Sequence, residues 1–317
     1  MEYYSAHSDE IMGDHDIHFD DERPPTYNAE DYAAHLKKFT SSSGWAMENT
    51  SSNKDRKYQR SRPSRSATKK KYPEYSEFDG FFYEMGLKQF RTVSQLLDKL
   101  KVDLHLSYNS FVREFISDPN DGVTLLLDLL KVIQLSQTSQ GGVGEQKTNP
   151  STQKRALSDE YEVLVCLKMC ADVEVGALKI SEHSSGLFTV SVCVMSNLNK
   201  SRVLALQLLA RMCRVPKGHN MVADSISMLR LKFGEHVRFK FIIGKFFRLF
   251  INIYLICCVA GMLNSFNSPA FQISCLRFLN TFVQTASTAR EQVQIQGEME
   301  EAGLDIQLLK RINFKVK

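Results

Sequence analysis

Cysteine and histidine are the residue types of this chain that could bind a metal ion or act as nucleophiles. The seven cysteines are Cys166, Cys170, Cys193, Cys213, Cys257, Cys258 and Cys275. None forms a Cys-x-x-Cys pair with a matching second pair, which a zinc site built from cysteines needs. His105, His219 and His236 lie apart from any cysteine, serine or carboxylate motif. The sequence therefore predicts no catalytic residue, no metal site and no cofactor.

A basic run at Lys54–Lys71 is the other chemically distinctive feature. It contains nine lysines and arginines against Asp55 alone, a local charge of +8. Such a run is attracted to an anionic membrane surface or an acidic protein, and the alternative is a solvated tail without a partner. The net charge of the whole chain, +4, is too small to indicate a nucleic-acid partner.

The hydrophobic pattern that must position any binding residue is helical. Val93, Leu96, Leu97, Leu100 and Leu104 follow the three- and four-residue spacing of one helix face. Residues 102–130 read as three short amphipathic helices separated by polar turns. The third is apolar almost all round at residues 125–130, so it must be covered on several sides.

Composition divides the chain into four ranges. Residues 1–77 lack a hydrophobic period and are predicted to be a disordered tail, followed by a helical region at 78–135. Residues 136–155 contain no apolar run and are predicted to be a flexible linker. Residues 156–317 follow as a series of helices, at about 161–168, 187–198, 201–213, 221–231, 271–283, 290–301 and 305–312. Helical pairs of about forty residues favour an all-α solenoid preceded by the tail.

Five blocks follow one another along the chain, at Ser110–Leu130, Tyr161–Gly176, Arg202–His219, Leu279–Ala286 and Gln292–Asp305. In this order they resemble the N-terminal regulatory half of formins, the actin-assembly proteins that Rho-type GTPases control. The resemblance implies a GTPase-binding region at 78–135 and an armadillo-like repeat domain at 156–317. It also implies a cytoplasmic, cytoskeleton-associated protein, with the cell cortex as one location, that binds proteins and is not an enzyme.

The resemblance further implies where the GTPase binds. The GTPase-facing turn of the family falls on Val102, His105, Leu106 and Ser107 of this chain. Lys99, Lys101 and Arg113 are expected to present a partly basic surface to the acidic GTPase.

A second partner implied by the resemblance is the acidic, amphipathic segment at the C-terminus of formins. Its groove is expected near Asp172, Arg211 and Arg214, and GTPase binding would displace the segment. The chain shows neither a proline-rich stretch nor an actin-capturing domain, so it is expected to reach actin only indirectly, through a longer product.

An apolar stretch interrupts the repeat region. Residues 242–258 resemble an insertion of seventeen residues relative to formins, and their composition is also that of a translated, retained intron. The apolar residues 246–263 have about the length of a bilayer span. The alternative hypothesis is therefore a membrane-associated helical adaptor anchored through 246–263, although charged Lys245 and Arg248 lie at its edge.

Overall fold

The computed structural model describes residues 23–41, 90–138, 150–243 and 269–304. Helices occupy most of these ranges, and no β-strand occurs within them. The helices are α1 (Ala29–Thr40), α2 (Val93–Leu106), α3 (Asn109–Ile116), α4 (Gly122–Thr138), α5 (Pro150–Asp172), α6 (Glu174–Glu182), α7 (Gly186–Val192), α8 (Asn199–Met212), α9 (Gly218–Lys232), α10 (Pro269–Gln284) and α11 (Ala289–Glu301), with a 3₁₀ turn at Cys193–Met195 after α7.

Helix α4 is the centre of the N-terminal part. It contacts α1, α3, α5, α6 and α7, as its apolar side chains on all sides predict. Leu126, Leu129, Leu130 and Ile133 are all fully buried. A helix with this composition is stable in water only when neighbours cover it, so α4 is the element around which the others pack.

The later helices continue the stack. Helix α5 packs against both α2 and α4 and then against α8, while α8 packs against α10 and α9 packs against α7. Successive helices thus pack on helices of neighbouring pairs, which is the arrangement of an α-solenoid. The predicted all-α solenoid class is confirmed.

The turn between α8 and α9 shows how the stack changes direction. Lys217 adopts a left-handed backbone conformation with φ of 61°. A side chain at Gly218 would collide with the backbone carbonyl of Met212. Only glycine permits this close approach at the first residue of α9.

Residues 23–41 differ from the disordered tail predicted for 1–77. They include helix α1, whose Tyr32, Leu36 and Phe39 are buried against α2, α3 and α4. These three residues are spaced at i, i+4 and i+7, but the surrounding sequence is polar, so an isolated helix of this length would be marginal. Packing onto α4 provides the missing stability. The basic run Lys54–Lys71 lies outside the described residues.

Two helices extend into the range 136–155, which was predicted to be a flexible linker. Helix α4 extends to Thr138, and α5 begins at Pro150, a residue that fits the first turn of a helix because its missing N–H needs no partner there. Both helices therefore reach into the predicted range 136–155.

Of the apolar insertion, Ile242 and Ile243 are described, and both are fully buried. Residues 244–258, the whole of the alternative anchor 246–263 and the predicted helix 305–312 lie outside the described residues. Among the residues that are described, no helix has the length and apolar character needed to cross a bilayer.

One buried acid in the core leads to a testable expectation. Glu160 on α5 is 2% exposed, and its Oε2 accepts a hydrogen bond from Gln137 Nε2 at 3.3 Å. Burial raises the pKa of Glu160 above its usual value, and the polar groups of Ser196, Ser201 and Gln137 offset this only in part. The ionised carboxylate is therefore less stable in the folded chain than in the unfolded chain.

We expect Glu160→Gln to raise the free energy of unfolding at pH 7 by about 1 kcal/mol. Because the pKa of Glu160 is raised in the folded chain, the ionised carboxylate destabilises the fold only as the pH rises through that pKa. The stability gained by Glu160→Gln should therefore be smaller at pH 5 than at pH 7. Urea unfolding at both pH values measures this. The exposed Glu182→Gln serves as the control and should change nothing. A loss of stability at pH 7 in Glu160→Gln would contradict the expectation.

Candidate functional site

One face of α2 carries exposed residues of the predicted GTPase-binding set. Lys99, Val102 and His105 are exposed, and their three-residue spacing places them on the same side of the helix. Val102 is 40% exposed, which is high for a large apolar residue. Leu106 is half-buried at the end of the helix. We call Lys99, Val102 and His105 the α2 face.

Two other residues of that set point into the fold. The Nζ of Lys101 lies 2.6 Å from Glu162 Oε2, in an ion pair that joins α2 to α5. Burial by itself lowers the pKa of Lys101, but the hydrogen bond and charge of Glu162 outweigh it, and the pKa is raised. Ser107 is buried, and its N–H donates to Asp103 O at 3.0 Å. Both residues therefore support the surface from behind.

Helix α3 adds residues next to the turn. Arg113 is exposed on α3, as predicted. Tyr108, which the sequence analysis did not select, stands at the N-cap of α3 and is 44% exposed. A large aromatic residue in a turn between two helices was the available signal, because such side chains are usually buried.

Directly beneath the turn lies a buried carboxylate that the sequence analysis also missed. Asp103 is fully buried and accepts hydrogen bonds from Arg23 NH2 at 2.8 Å, Thr26 N at 2.7 Å and Tyr32 Oη at 2.7 Å. Thr26 Oγ1 also donates to it, at 3.0 Å. We call Asp103 and these three residues the carboxylate node.

The node connects the N-terminal segment to the turn that was predicted to face the GTPase. The Arg23 N–H donates to Leu106 O at 2.9 Å, one residue before buried Ser107. Burial alone raises the pKa of Asp103, but the hydrogen bonds from Tyr32, Thr26 and Arg23 lower it overall. Burial, together with Asp103, raises the pKa of Tyr32. The node is thus an ionised carboxylate whose donors come from a segment about 75 residues earlier in the sequence.

A cleft of about 420 Å³ lies between α8 and α10. It contains Arg211 and Arg214, two of the residues predicted for tail binding, together with Arg277. We call it the arginine cleft. Arg277 comes from α10 and was not foreseen, because nothing in the local sequence relates it to α8.

The third predicted tail-binding residue lies at the end of α5. Asp172 is exposed. Arg211 Nε donates to Ala171 O at 3.3 Å, so α8 is joined to the chain next to Asp172. Asp172 does not line the cleft itself. The structure therefore brings Arg211 and Arg214 together and leaves Asp172 beside them.

The five described cysteines are buried free thiols. Burial raises the pKa of Cys170, Cys213 and Cys275 to about 12, so these thiols are neutral at pH 7 and unreactive. Within the described ranges no three His, Cys, Asp or Glu side chains could hold a metal ion together. Cys257 and Cys258 lie outside these ranges.

Comparison with known proteins identifies the family. Residues 34–214 match the family described as the Diaphanous GTPase-binding Domain, and this range is more than half of the chain. The chain belongs to this family. The matched range contains the α2 face, Asp103 and the α8 side of the arginine cleft.

Similar proteins include three formin-like proteins. Formin-like protein 1 of Homo sapiens is 21% identical over 258 residues, which cover 68% of this chain and 22% of that protein. Formin-like protein 2 of Homo sapiens is 19% identical over 263 residues, which cover 67% of this chain and 23% of that protein. Formin-like protein of Drosophila melanogaster is 23% identical over 159 residues, which cover 50% of this chain and 12% of that protein.

These comparisons confirm the resemblance to the N-terminal regulatory region of formins. The chain spans less than a quarter of the length of each of the two human relatives. The family match shows that it is a GTPase-binding regulatory region. Which residues contact the GTPase is a separate proposal.

Proposed function

We propose that the chain is a regulatory protein-binding module of a formin. Its N-terminal helices bind a GTP-loaded Rho-family small GTPase, and its arginine cleft binds the acidic, amphipathic C-terminal segment of a formin. The observation that carries the proposal is the family match across the exposed α2 face. Binding energy is the only output of such a module, so it is proposed to act without catalysis.

The α2 face suits a GTPase because it combines apolar and basic groups. Val102 and Tyr108 offer exposed apolar area, and aromatic residues are frequent at the points of an interface that contribute most binding energy. Lys99 and Arg113 are exposed cations, which favour encounter with an acidic partner. His105 adds a polar group at the turn. Lys101, Leu106 and Ser107 are proposed to act by holding the face in place.

The arginine cleft suits an acidic segment for a different reason. Guanidinium groups form strong, often bidentate hydrogen bonds with carboxylates. Three of them line one cleft whose walls also include apolar Leu206 and Ala210. An amphipathic segment could place apolar side chains on these walls and its carboxylates beside Arg211, Arg214 and Arg277.

Helix α5 offers a physical connection between the two proposed sites. Its Glu162 pairs with Lys101 of α2, and its Ala171 carbonyl accepts the hydrogen bond from Arg211. A shift of α2 on GTPase binding could therefore be transmitted along one rigid helix to the cleft. This would couple the two ligands, as release of an autoinhibitory segment requires.

The wider setting is proposed from the family. Control of actin cytoskeleton organisation would occur indirectly, in a longer product that carries actin-assembly domains. The module would then be cytoplasmic and associated with the cytoskeleton, with the cell cortex as one location. Attraction of Lys54–Lys71 to an anionic membrane surface is a further part of this proposal.

A nucleotide-dependent binding measurement tests the GTPase part. The immobilised chain should retain Rho-family GTPases loaded with a non-hydrolysable GTP analogue and retain the GDP-loaded forms at least about tenfold less well. Equal retention of both nucleotide states, or retention of neither state by any Rho-family GTPase tested, would reject GTPase regulation.

Tyr108→Ala is expected to weaken binding of the GTP-loaded partner about tenfold, because it removes the largest exposed aromatic side chain beside the α2 face. Interferometry with the purified chain measures the affinity, and thermal unfolding verifies the fold. The matched control is Val293→Ala, which shortens another exposed apolar residue, on α11. If both variants bind like the parent chain, Tyr108 is not part of the interface.

A further inference from the structure

We infer that Thr26 is a phosphorylation site, and that its modification releases the N-terminal segment from the GTPase-facing turn. We call residues 23–41 the N-terminal clasp. The effect on GTPase binding rests on the proposed function, whereas the release of the clasp rests on the contacts of the carboxylate node alone.

Thr26 occupies an unusual position, because it is exposed to solvent and yet bonded to a buried charge. Its N–H donates to Asp103 Oδ2 at 2.7 Å, and its Oγ1 donates to Asp103 Oδ1 at 3.0 Å. Arg23 NH1 in turn donates to Thr26 Oγ1 at 3.3 Å. The hydroxyl is therefore placed between a guanidinium and a carboxylate.

The segment around Thr26 also has the form that a protein kinase can bind. Residues 24–28 belong to no helix or strand, and Pro24 and Pro25 favour an extended backbone. Arg23 supplies a positive charge three residues before the acceptor hydroxyl, a position that many serine and threonine kinases select. Thr26 differs in this respect from Thr281, which is buried in helix α10.

The modification uses ATP and a protein kinase. The Thr26 Oγ1 forms a bond to the γ-phosphorus of ATP, while the bond from that phosphorus to the bridging oxygen of the β-phosphate breaks. ADP leaves with the electron pair of the broken bond, and the hydroxyl proton passes to the kinase base. The side chain gains a charge of roughly −1.5 to −2 at pH 7.

This charge is incompatible with the contacts of the node. The phosphate would stand against the fully buried Asp103 carboxylate, which it repels, and the hydroxyl proton that bonded to Asp103 is gone. Arg23, already within hydrogen-bond distance of Oγ1, would pair with the phosphate instead. With the bonds from Thr26 and Arg23 to Asp103 broken, the backbone at Arg23 would be free to move away from Leu106 O, and the turn at residues 105–108 would lose its support.

The test uses the full chain, treated with ATP and a panel of arginine-directed serine/threonine kinases, with mass spectrometry to locate the phosphate. Hydrogen exchange then reports on the clasp, and interferometry reports affinity for the GTP-loaded GTPase. Phosphate on Thr26 should lower the protection of residues 29–41 at least about tenfold and weaken GTPase binding by a similar factor. Absence of phosphate on Thr26, or unchanged protection after its addition, overturns the inference.

Three variants separate charge from other effects. Thr26→Glu should reproduce the loss of protection, and Thr26→Val, which removes both hydrogen bonds of the hydroxyl without adding charge, should change protection less than Thr26→Glu does. Asn28→Glu adds the same charge at the exposed N-cap of α1 and should preserve protection, since acidic groups are favourable there. If the parent chain binds no GTPase while Thr26→Glu still loses protection, the proposed function fails and the release of the clasp stands.

Discussion

Replacement of Asp103 by alanine is expected to lower the free energy of unfolding by about 3 kcal/mol, because several hydrogen bonds to one fully buried carboxylate are lost together. Asp103 accepts hydrogen bonds from Arg23, Thr26 and Tyr32, and the Tyr32 hydroxyl is left in the core without an acceptor when the carboxylate is removed. Helix α1 should detach from α4 as a result. Urea unfolding followed by circular dichroism measures the stability, and proteolysis within residues 23–41 reports the detachment.

The same carboxylate predicts a pH dependence. Because the pKa of Asp103 is lower in the folded chain than in the unfolded chain, its stabilisation is present above the unfolded value near 3.8. It is lost as the pH falls through the folded pKa. The alanine variant should therefore lose this part of the acid sensitivity that the parent chain shows below pH 4.

Asp98→Ala is the matched control, because Asp98 lies on the same helix but is 65% exposed. Its ion pair with Lys101 is long, with 3.8 Å between Oδ1 and Nζ. Surface pairs of this kind contribute less than about 1 kcal/mol. Equal stability losses in the two variants would mean that the carboxylate node does not hold the N-terminal segment.

Reversal of charge in the arginine cleft is expected to have the second large effect. The double variant Arg211→Glu with Arg277→Glu should bind a C-terminal acidic segment of a formin-like protein about 100-fold more weakly, which corresponds to about 2.8 kcal/mol. It removes two guanidinium groups from one cleft and replaces them with groups that repel carboxylates. Fluorescence anisotropy with a labelled synthetic peptide of that segment measures the affinity.

A control with the same change in net charge is Lys200→Glu with Arg290→Glu, two exposed residues that do not line the cleft. It should reduce affinity less than about threefold, through long-range electrostatics that salt screens. Tighter binding by the cleft variant would show that the natural ligand of the cleft is basic. Unchanged binding would place the segment elsewhere on the stack.

The course of the helices after Val93 was largely predictable from the sequence. Helices α8, α10 and α11 carry apolar residues at helical spacing, and their predicted ranges agree with the structure to within about two residues. Short helices were harder, since α6 spans only Glu174–Glu182 and was not foreseen. Helix α1 was missed because its stability comes from contact with α4 and not from its own composition.

The binding surfaces were only partly predictable. The α2 face follows from helical spacing, but the same spacing gave no reason to separate exposed Lys99 from Lys101, which is paired with Glu162 of α5. Asp103 lies on the apolar side of α2, and an acidic residue there indicates a buried partner. The identity of that partner, an arginine 80 residues earlier, could not be read from α2.

The amino-acid sequence by itself determined the all-helical class, the formin family and the positions of most helices, because these depend on local periodicity and on the order of short motifs. Only the tertiary structure decided which charged residues face solvent, that Arg277 joins Arg211 and Arg214, and that residues 23–41 cover Asp103. Local spacing specifies the buried face of a helix. The neighbour that covers this face comes from a distant part of the chain and is chosen by the packing of the whole stack.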